Sequence, residues 1–320
     1  YEEAVANLKL LLSNDRYKER AEIAEARHLL GRCFQLQKKF REALDTWKDY
    51  LSKHPAHESW SDVQMEIVNT EFYMAVEARN EREYDRAREL FAQFVEKYPL
   101  DERNPQILFG YGEMNYAQQK WQLAIDDWRR LVSKYPGSDF ASRGQFMIAS
   151  TLEQKLAELS EALDEYKKLD WGPMQSAARQ AIARLVAKSM SVVTDRIFRS
   201  DETPSLKLTT RNIEKVTVRA YKVDMETYFR KMHLARGVEQ LDIALIDPDA
   251  SFEFSVPDYA EYQQLESAIE VPLPADVAAG VMAVTISTET LEATTMVIQS
   301  DLDIIVKSSR DEVFVFAENM

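Results

Sequence analysis

Cysteine is nearly absent from this chain of 320 residues, which contains only Cys33. A single cysteine excludes an internal disulfide, and its helical surroundings indicate a buried structural thiol rather than the alternative, a reactive one. Glycine is also scarce, with eight residues, which leaves little material for the glycine-rich loops that bind phosphates. No run of about 18 apolar residues occurs, so we expect no insertion into a membrane.

Basic residues are missing from one long stretch, because no lysine or arginine lies between Gly237 and Val306. Residues 201–320 contain 22 acidic and 10 basic side chains, whereas residues 1–200 are nearly balanced, with 32 and 30. Nucleic acids and anionic lipids both bind to basic surfaces. The acidic balance of the second part therefore makes both of them poor candidates as its partners.

Histidine is rare as well, with four residues in the chain. His54 and His57 form an HxxH pair in a predicted turn, but two imidazoles alone hold a metal ion weakly. His28 and His233 are isolated in the sequence and are expected to be ordinary surface or core residues. We therefore predict no metal site at these histidines.

Other residues with catalytic or ion-binding chemistry are equally few. Asp247, Asp249 and Glu253 have a spacing that a calcium loop could use, although an acidic turn between strands is the interpretation we favour. Neither a GxSxG nor an HExxH motif occurs, and no paired nucleophile and base is apparent. We predict no catalytic residue, no cofactor and no enzymatic activity, since the alternative of a hydrolase would require such a pair.

The chain does contain a recurring pattern of small and aromatic residues. Residues 105–136 predict two amphipathic helices joined by a short turn, with small residues where the helices approach. In each copy an aromatic residue follows the second-helix alanine by four positions: Ala43 and Trp47, Ala87 and Phe91, Ala124 and Trp128, Ala162 and Tyr166. The small residues of the first helices are Gly31, Ala75, Gly112 and Ser150.

This pattern resembles the tetratricopeptide repeat (TPR) family over roughly residues 1–190. The alanines lie 44, 37 and 38 residues apart, and a proline follows the first three by twelve residues. Ala4 resembles the second helix of an earlier, incomplete copy. The resemblance implies an α-solenoid of helical hairpins, and we expect a last amphipathic helix, from Met174 to about Val193, to cover the final repeat.

After the polar segment 200–205 the hydrophobic pattern changes to the alternation that is typical of β-strands. Strands are predicted in LKLTTRNI, KVTVRAYKV, VEQLDIALI, GVMAVTIST, TTMVIQS and EVFVFAE, and a short helix is predicted in METYFRKMHLA at residues 225–235. Because no long helices connect these strands, the pattern favours an antiparallel sandwich.

Three segments of this second part look like the N-terminal part of bacterial alpha-2-macroglobulin-like proteins. They are RNIEKVTVRAYKVDMETYFRK, IEVPLPADVAAGVMAVTIS and TTMVIQSDLDIIVKSSRDEVFVF. The resemblance covers about residues 205–320 and implies a first macroglobulin-like β-sandwich, joined to a second near Asp301. That family traps proteases, often with a thioester from a CxEQ motif. Here the only cysteine lies in RCFQ, so any inhibitor activity is expected in other parts of a longer parent protein.

These patterns together predict an α+β multidomain chain. Residues 1–195 form a TPR-like α-solenoid with its capping helix, residues 203–300 a macroglobulin-like (Ig-like) antiparallel β-sandwich, and residues 301–320 the opening strands of a truncated second sandwich. Since the chain begins with Tyr1 within a helical pattern, we expect it to be a piece of a longer protein. We expect that protein in the bacterial periplasm or cell envelope.

The TPR resemblance implies a concave groove lined by the first helices of the repeats. Transfer of the family's groove positions gives Arg32, Gln35, Asn69, Phe72, Arg79, Gln106, Phe109, Tyr116 and Gln154. Amides and arginines beside aromatic residues suit an extended peptide. We therefore predict a non-enzymatic module that binds a protein or peptide partner, with proteases as targets of the full-length parent. The alternative is a rigid spacer that packs on its own β-domain and holds no ligand in the groove.

Overall fold

Ten α-helices precede the first strand in the part of the chain that the structure describes. This structure is a computed structural model, and it describes residues 1–17, 20, 22–224, 247–272, 280–310 and 312–319. The helices are α1 Glu2–Ser13, α2 Glu22–Leu36, α3 Phe40–Lys53, α4 Trp60–Asn80, α5 Tyr84–Lys97, α6 Asn104–Ala117, α7 Trp121–Lys134, α8 Asp139–Thr151, α9 Leu159–Lys167 and α10 Gln175–Val186. A π-helical turn, Leu152–Leu156, follows α8.

Strands make up the rest of the described chain. They are β1 Ser189–Val193, β2 Ser205–Arg211, β3 Lys215–Val223, β4 Ala250–Ser255, β5 Gln264–Glu270, β6 Gly280–Ser287, β7 Glu292–Gln299, β8 Leu302–Ser308 and β9 Val313–Asn319. The chain is thus an α+β protein with helical repeats first and antiparallel sheets second, as the sequence predicts. It divides into two compact units, Tyr1–Leu156 with Lys168–Gln175, and Ala157–Lys167 with Ser176–Met320.

Small residues let the paired helices of the first unit approach closely. Gly31 of α2 lies against the buried indole of Trp47 in α3, and Gly112 of α6 lies against that of Trp128 in α7. Each indole Nε1 donates a hydrogen bond of 3.1 Å to a carbonyl of the first helix. The predicted contact between small and aromatic positions is therefore confirmed, with a polar bond that fixes each ring.

The turn within each hairpin has the same backbone conformation in all four repeats. Lys38, Arg82, Gln119 and Ala157 each have φ between 57° and 62°, and each precedes the repeat alanine by five residues. The left-handed conformation reverses the chain after the first helix. Ser138 caps α8 by accepting a hydrogen bond of 3.1 Å from the backbone N–H of Ala141.

The second unit contains two antiparallel sheets that enclose one core. One sheet has the strand order β1-β2-β5, and the other has the order β4-β3-β6-β7. Inward side chains of both sheets, including Leu208, Val218, Ile269 and Val284, form a single buried cluster. Alternating apolar residues place one face of each strand in this core. The described strands therefore form a β-sandwich, followed by an exposed β8–β9 hairpin.

One sequence expectation differs from the structure in part, and others lie outside the described residues. The predicted capping helix to Val193 is wrong at its end, because α10 stops at Val186 and β1 pairs with β2. Met190 and Val192 alternate into the sandwich core, a pattern too short to separate from the preceding helix. The acidic segment near Asp249 leads directly into β4. The predicted helix at 225–235 and the strand VEQLDIALI lie outside the described residues, and the domain limits stay predictions.

Candidate protein-binding groove

The first helices α2 and α4 lie side by side and join through polar side chains. Gln35 of α2 donates a hydrogen bond of 2.8 Å to the hydroxyl of Thr70 on α4. Arg32, whose side chain is 56% exposed, lies 3.7 Å from the carboxylate of Glu66. Lys38 forms an ion pair with Glu77 at the end of the same helix pair. Two predicted groove residues, Arg32 and Gln35, thus share one face with acidic partners on the next repeat.

The next helix pair, α4 and α6, continues this polar face. Arg79 lies 3.7 Å from the carboxylate of Glu113, which is half exposed. Burial raises the pKa of the Glu113 carboxyl, against the opposing effect of Arg79 and Arg143. Arg103, beside the start of α6, donates a hydrogen bond of 2.9 Å to the amide oxygen of Asn69. Cations and carboxylates therefore alternate along the groove from α2 to α6.

Phe72 is the predicted groove residue that the structure places elsewhere. Its side chain is 8% exposed and belongs to the core of the second repeat. The ring packs near Phe91 and Phe94, with centroid separations of 6.0 and 5.7 Å. Arg103 covers it at 4.8 Å from the ring centroid. Because a neighbouring side chain closes this position, Phe72 serves the core and is not available as an anchor for a peptide.

The other predicted aromatic residues stay at the surface. Phe109 is half buried between Trp128 and Phe140, at 6.2 and 5.9 Å. Tyr116, also half buried, packs edge-on against Trp121 at 4.8 Å. Gln106 is half buried on α6 and Gln154 is exposed in the π-helical turn. Whether these residues bind a partner stays a prediction.

Several residues that the sequence did not indicate contact the predicted groove residues. They are Glu66, Thr70, Arg103, Trp121 and Lys155. Glu66 and Thr70 are four residues apart and share a helix face, so a charge pattern along α4 could have indicated them. No local pattern connects Lys155 to Trp121, because the two lie on different elements.

A buried polar network lies behind the groove and joins α5, α6 and α7. The carboxylate of Asp127, a buried residue, accepts hydrogen bonds from Asn115 at 2.8 Å and from Arg88 at 2.9 Å. Arg88 also donates to the Tyr111 carbonyl at 2.8 Å and lies over the Tyr111 ring. Burial raises the pKa of the Tyr111 hydroxyl to about 12; the positive charge of Arg88 opposes this rise, and the negative charge of Asp127 adds to it. The network fixes two repeats relative to each other.

Three histidines surround the buried ring of Tyr50 in the first repeat, so His28 is not the isolated residue that the sequence indicates. Ring centroids of His28, His54 and His57 lie 6.2, 5.3 and 5.9 Å from that of Tyr50. The Tyr50 hydroxyl bonds to His57 Nδ1 at 2.8 Å. His28 Nε2 is buried without a hydrogen-bond partner among the described residues. This arrangement favours the neutral imidazole at His28 and at His54.

Charged groups on α2, α3 and α4 change the pKa values of His28 and His54. Burial lowers the pKa of His28; Glu66 and Asp62 of α4 raise it, and Arg32 and His57 lower it further. Burial likewise lowers the pKa of His54. There Arg27, His57 and Lys53 lower it further, and Asp49 raises it. Desolvation outweighs the nearby carboxylates at both sites.

Mild acid is therefore expected to destabilise the first repeat. The ordinary histidine pKa is 6.5 and both folded values lie below it. Between the folded and unfolded values the unfolded chain binds more protons. The free energy of unfolding therefore falls as the pH drops below about 6.5, and levels off once the folded imidazoles are protonated. Urea unfolding of the helical signal at about pH 7.5 and pH 5.5 measures this loss. The variant His28→Gln/His54→Gln should lose less unfolding free energy between the two pH values than the unaltered chain. Equal losses would contradict the assignment of this pH dependence to His28 and His54.

Metal-binding side chains are not clustered in the described part of the chain. Among the described residues no group of three or more His, Cys, Asp or Glu side chains is arranged to hold a metal ion. Asp249 uses its carboxylate to accept a hydrogen bond of 2.6 Å from the backbone N–H of Lys222. A cavity of about 770 Å³ in the second unit is lined by Lys215, Arg219, Glu253 and Ser287 among others, with no histidine or cysteine in its described lining.

Family models match two segments of the helical part. Residues 25–57 and residues 74–139 each match a model described as tetratricopeptide repeat. The first segment contains the contact between Gly31 and Trp47, and the second contains that between Gly112 and Trp128. Residues 25–57 and 74–139 of the helical part are therefore tetratricopeptide repeats. Arrays of this kind present extended concave surfaces that bind proteins or peptides.

Solved structures overlap with this chain in part. A fragment of alpha-2-macroglobulin from Escherichia coli, spanning domains MG0-NIE-MG1, is 14% identical over 42% of this chain and 45% of that fragment, with a TM-score of 0.33. MamA from Desulfovibrio magneticus is 14% identical over 56% of this chain and 86% of its own, with a TM-score of 0.31. TPR-like repeats of a kinesin light chain from Podospora anserina are 15% identical over 57% of this chain and 87% of theirs, with a TM-score of 0.30.

The overlap with the Escherichia coli fragment spans less than half of that fragment's length. No curated protein matches the chain. In the described ranges, no helix is both long enough and apolar enough to cross a bilayer. These comparisons assign no activity to the chain.

Proposed function

We propose that the TPR array is a non-enzymatic recruitment module that holds an extended peptide or protein segment in its groove. The observation that carries this proposal is the row of partly exposed cations and carboxylates from Arg32 to Glu113, beside the half-buried rings of Phe109 and Tyr116. Charged side chains that alternate in sign can pair with the side chains and backbone of an extended chain, and aromatic faces can anchor it.

The parent protein in this proposal is a bacterial alpha-2-macroglobulin-like protein of the periplasm or cell envelope. Support comes from the sequence resemblance of residues 205–320 and from the β-sandwich that follows the repeats. The repeats would then bring a partner close to a protease trap formed by the parent. Proteases would be targets of that parent and not of the groove.

A rigid spacer without a groove ligand is the second candidate, and one observation favours it. The groove charges already pair with each other, as in the contacts of Arg32 with Glu66 and of Arg79 with Glu113. Both distances are 3.7 Å, longer than a charge-assisted hydrogen bond of about 2.7–2.9 Å. Exposed pairs of this kind contribute only about 0–1 kcal/mol to stability, so a partner could replace them at small cost.

A quantitative pull-down from bacterial envelope extract distinguishes the two candidates. The groove variant is Arg32→Glu/Arg79→Glu, which reverses two charges on first helices. Its matched control is Arg41→Glu/Arg86→Glu, which reverses two exposed arginines on the second helices α3 and α5. We expect a protein that both the unaltered chain and the control enrich, and that the groove variant loses by at least about tenfold.

Circular dichroism must show that both variants stay folded. Identical profiles for the unaltered chain, the control and the groove variant would contradict recruitment by the groove and would favour the spacer. A protein lost equally with both variants would indicate a general effect of charge and would also count against the groove.

A further inference from the structure

Two aromatic rings meet at the end of the groove under one lysine. Tyr116, in the last turn of α6, packs edge-on against Trp121, the first residue of α7, at 4.8 Å and 65°. The ammonium nitrogen of Lys155 lies 5.5 Å from the Trp121 ring centroid and 6.0 Å from that of Tyr116. Aromatic faces attract cations at such distances. The chain thus places a positive charge of its own on this pair of rings.

Among the described residues, Lys155 has neither a carboxylate nor a hydrogen-bond partner, and its ammonium group lies over the rings of Tyr116 and Trp121. Arg103 offers a contrast, since it also lies over two rings but is fixed by Asp101 at 2.7 Å and by Asn69 at 2.9 Å. An exposed lysine without such bonds can leave its rings readily.

The backbone around Lys155 sets this residue apart from an ordinary helical lysine. It lies in the π-helical turn Leu152–Leu156, which interrupts the repeat between α8 and α9. Single π-helical turns occur frequently at functional sites.

We propose that Tyr116 and Trp121 form a cation subsite of the groove, which takes a lysine or arginine side chain of the bound peptide. Lys155 occupies this subsite in the free protein and competes with the ligand. The inference rests on the proposed function, because it names the chemistry that a partner must present at one position. A partner that binds here carries a basic residue at the position that contacts Tyr116 and Trp121.

The test uses a small probe, Nα-acetyl-lysine amide, with Nα-acetyl-norleucine amide as its uncharged control. Binding is followed by NMR at the indole N–H signals of the five tryptophans in the full chain, with Trp121 assigned through Trp121→Phe. We expect the lysine probe to shift the Trp121 signal and the norleucine probe to leave it unchanged. Lys155→Gln removes the competitor and should lower the apparent Kd about fivefold.

Conservative and distant variants keep the test specific. Lys155→Arg restores the cation and should bind the probe as the unaltered chain does. Lys134→Gln removes a lysine that lies 5.5 Å over Tyr135 and should change nothing at Trp121, whereas Tyr116→Ala should weaken binding at least fivefold. An unchanged or weaker affinity in Lys155→Gln, or an equal response to norleucine, would overturn the proposal.

The probe needs no peptide partner, so this result is separate from the pull-down. If the lysine probe shifts the Trp121 signal while the pull-down captures no groove-dependent protein, the subsite is supported and the recruitment function is contradicted. If a groove-dependent protein is captured while the Trp121 signal does not respond to the lysine probe, recruitment is supported and the subsite is contradicted.

Discussion

Gly112→Ala is expected to destabilise the helical repeats by about 2–3 kcal/mol. A Cβ at this position would lie 2.1 Å from the indole nitrogen of Trp128 and 2.4 Å from the adjacent ring carbon. The indole has no room to move away from this Cβ, since it is fully buried and donates a hydrogen bond of 3.1 Å to the Phe109 carbonyl. Urea unfolding of the full chain, followed by helical circular dichroism, measures the change.

Gly110→Ala is the matched control on the same helix. A Cβ there would meet only the end of the flexible Arg79 side chain, at 3.3 Å, while alanine improves helix propensity by up to about 1 kcal/mol. We expect a neutral or slightly stabilising effect. The second repeat has Ala75 and Phe91 at the positions of Gly112 and Trp128, and these two residues pack in one core. Trp128→Phe should therefore relieve the clash with an alanine at position 112.

A double-mutant cycle of Gly112→Ala and Trp128→Phe should therefore show a coupling energy of at least about 1 kcal/mol. Additive effects in that cycle would contradict the close-approach explanation. An effect of Gly112→Ala on stability as small as that of Gly110→Ala would contradict the same explanation.

Asp127→Ala is expected to cost about 3 kcal/mol, because it leaves buried donors without their acceptor. The amide of Asn115 loses a hydrogen bond of 2.8 Å, and the Arg88 guanidinium loses one of 2.9 Å. Arg88 is partly exposed, with 30% of its side chain accessible, so water recovers part of the loss. The measurement is again the urea midpoint of the helical signal.

Asp126→Ala controls for the loss of charge on the same helix. The Asp126 carboxylate is only half buried and accepts one long bond of 3.3 Å from Gln122, so its removal should change stability by less than about 0.5 kcal/mol. Equal effects at positions 126 and 127 would show that net charge decides the outcome, which would contradict the role of the buried network.

Much of the fold follows from patterns within single elements. The spacing between Ala124 and Trp128 and the small residue Gly112 predict the hairpin, and the alternation in KVTVRAYKV predicts β3 with the bounds that the structure has. Such patterns can be recognised because the helix and strand periods place residues at regular spacings on one face. β1 was not predicted because its five residues follow a helix directly.

The candidate site could be predicted only in part. Arg32, Gln35, Asn69 and Arg79 lie on helices that the repeat pattern predicts, whereas Phe72 packs in the core, where Arg103 covers its ring. That contact joins residues 31 positions apart, and no local period encodes it.

The sequence by itself determined the repeats and the change to a β-sandwich, because each depends on periodicity within one segment. Only the tertiary structure decided that three histidines surround Tyr50, that Asp127 joins Asn115 to Arg88, and that Lys155 covers Tyr116 and Trp121. These contacts depend on how neighbouring helices are placed against each other. Their distances follow from packing geometry, which no spacing along the chain expresses.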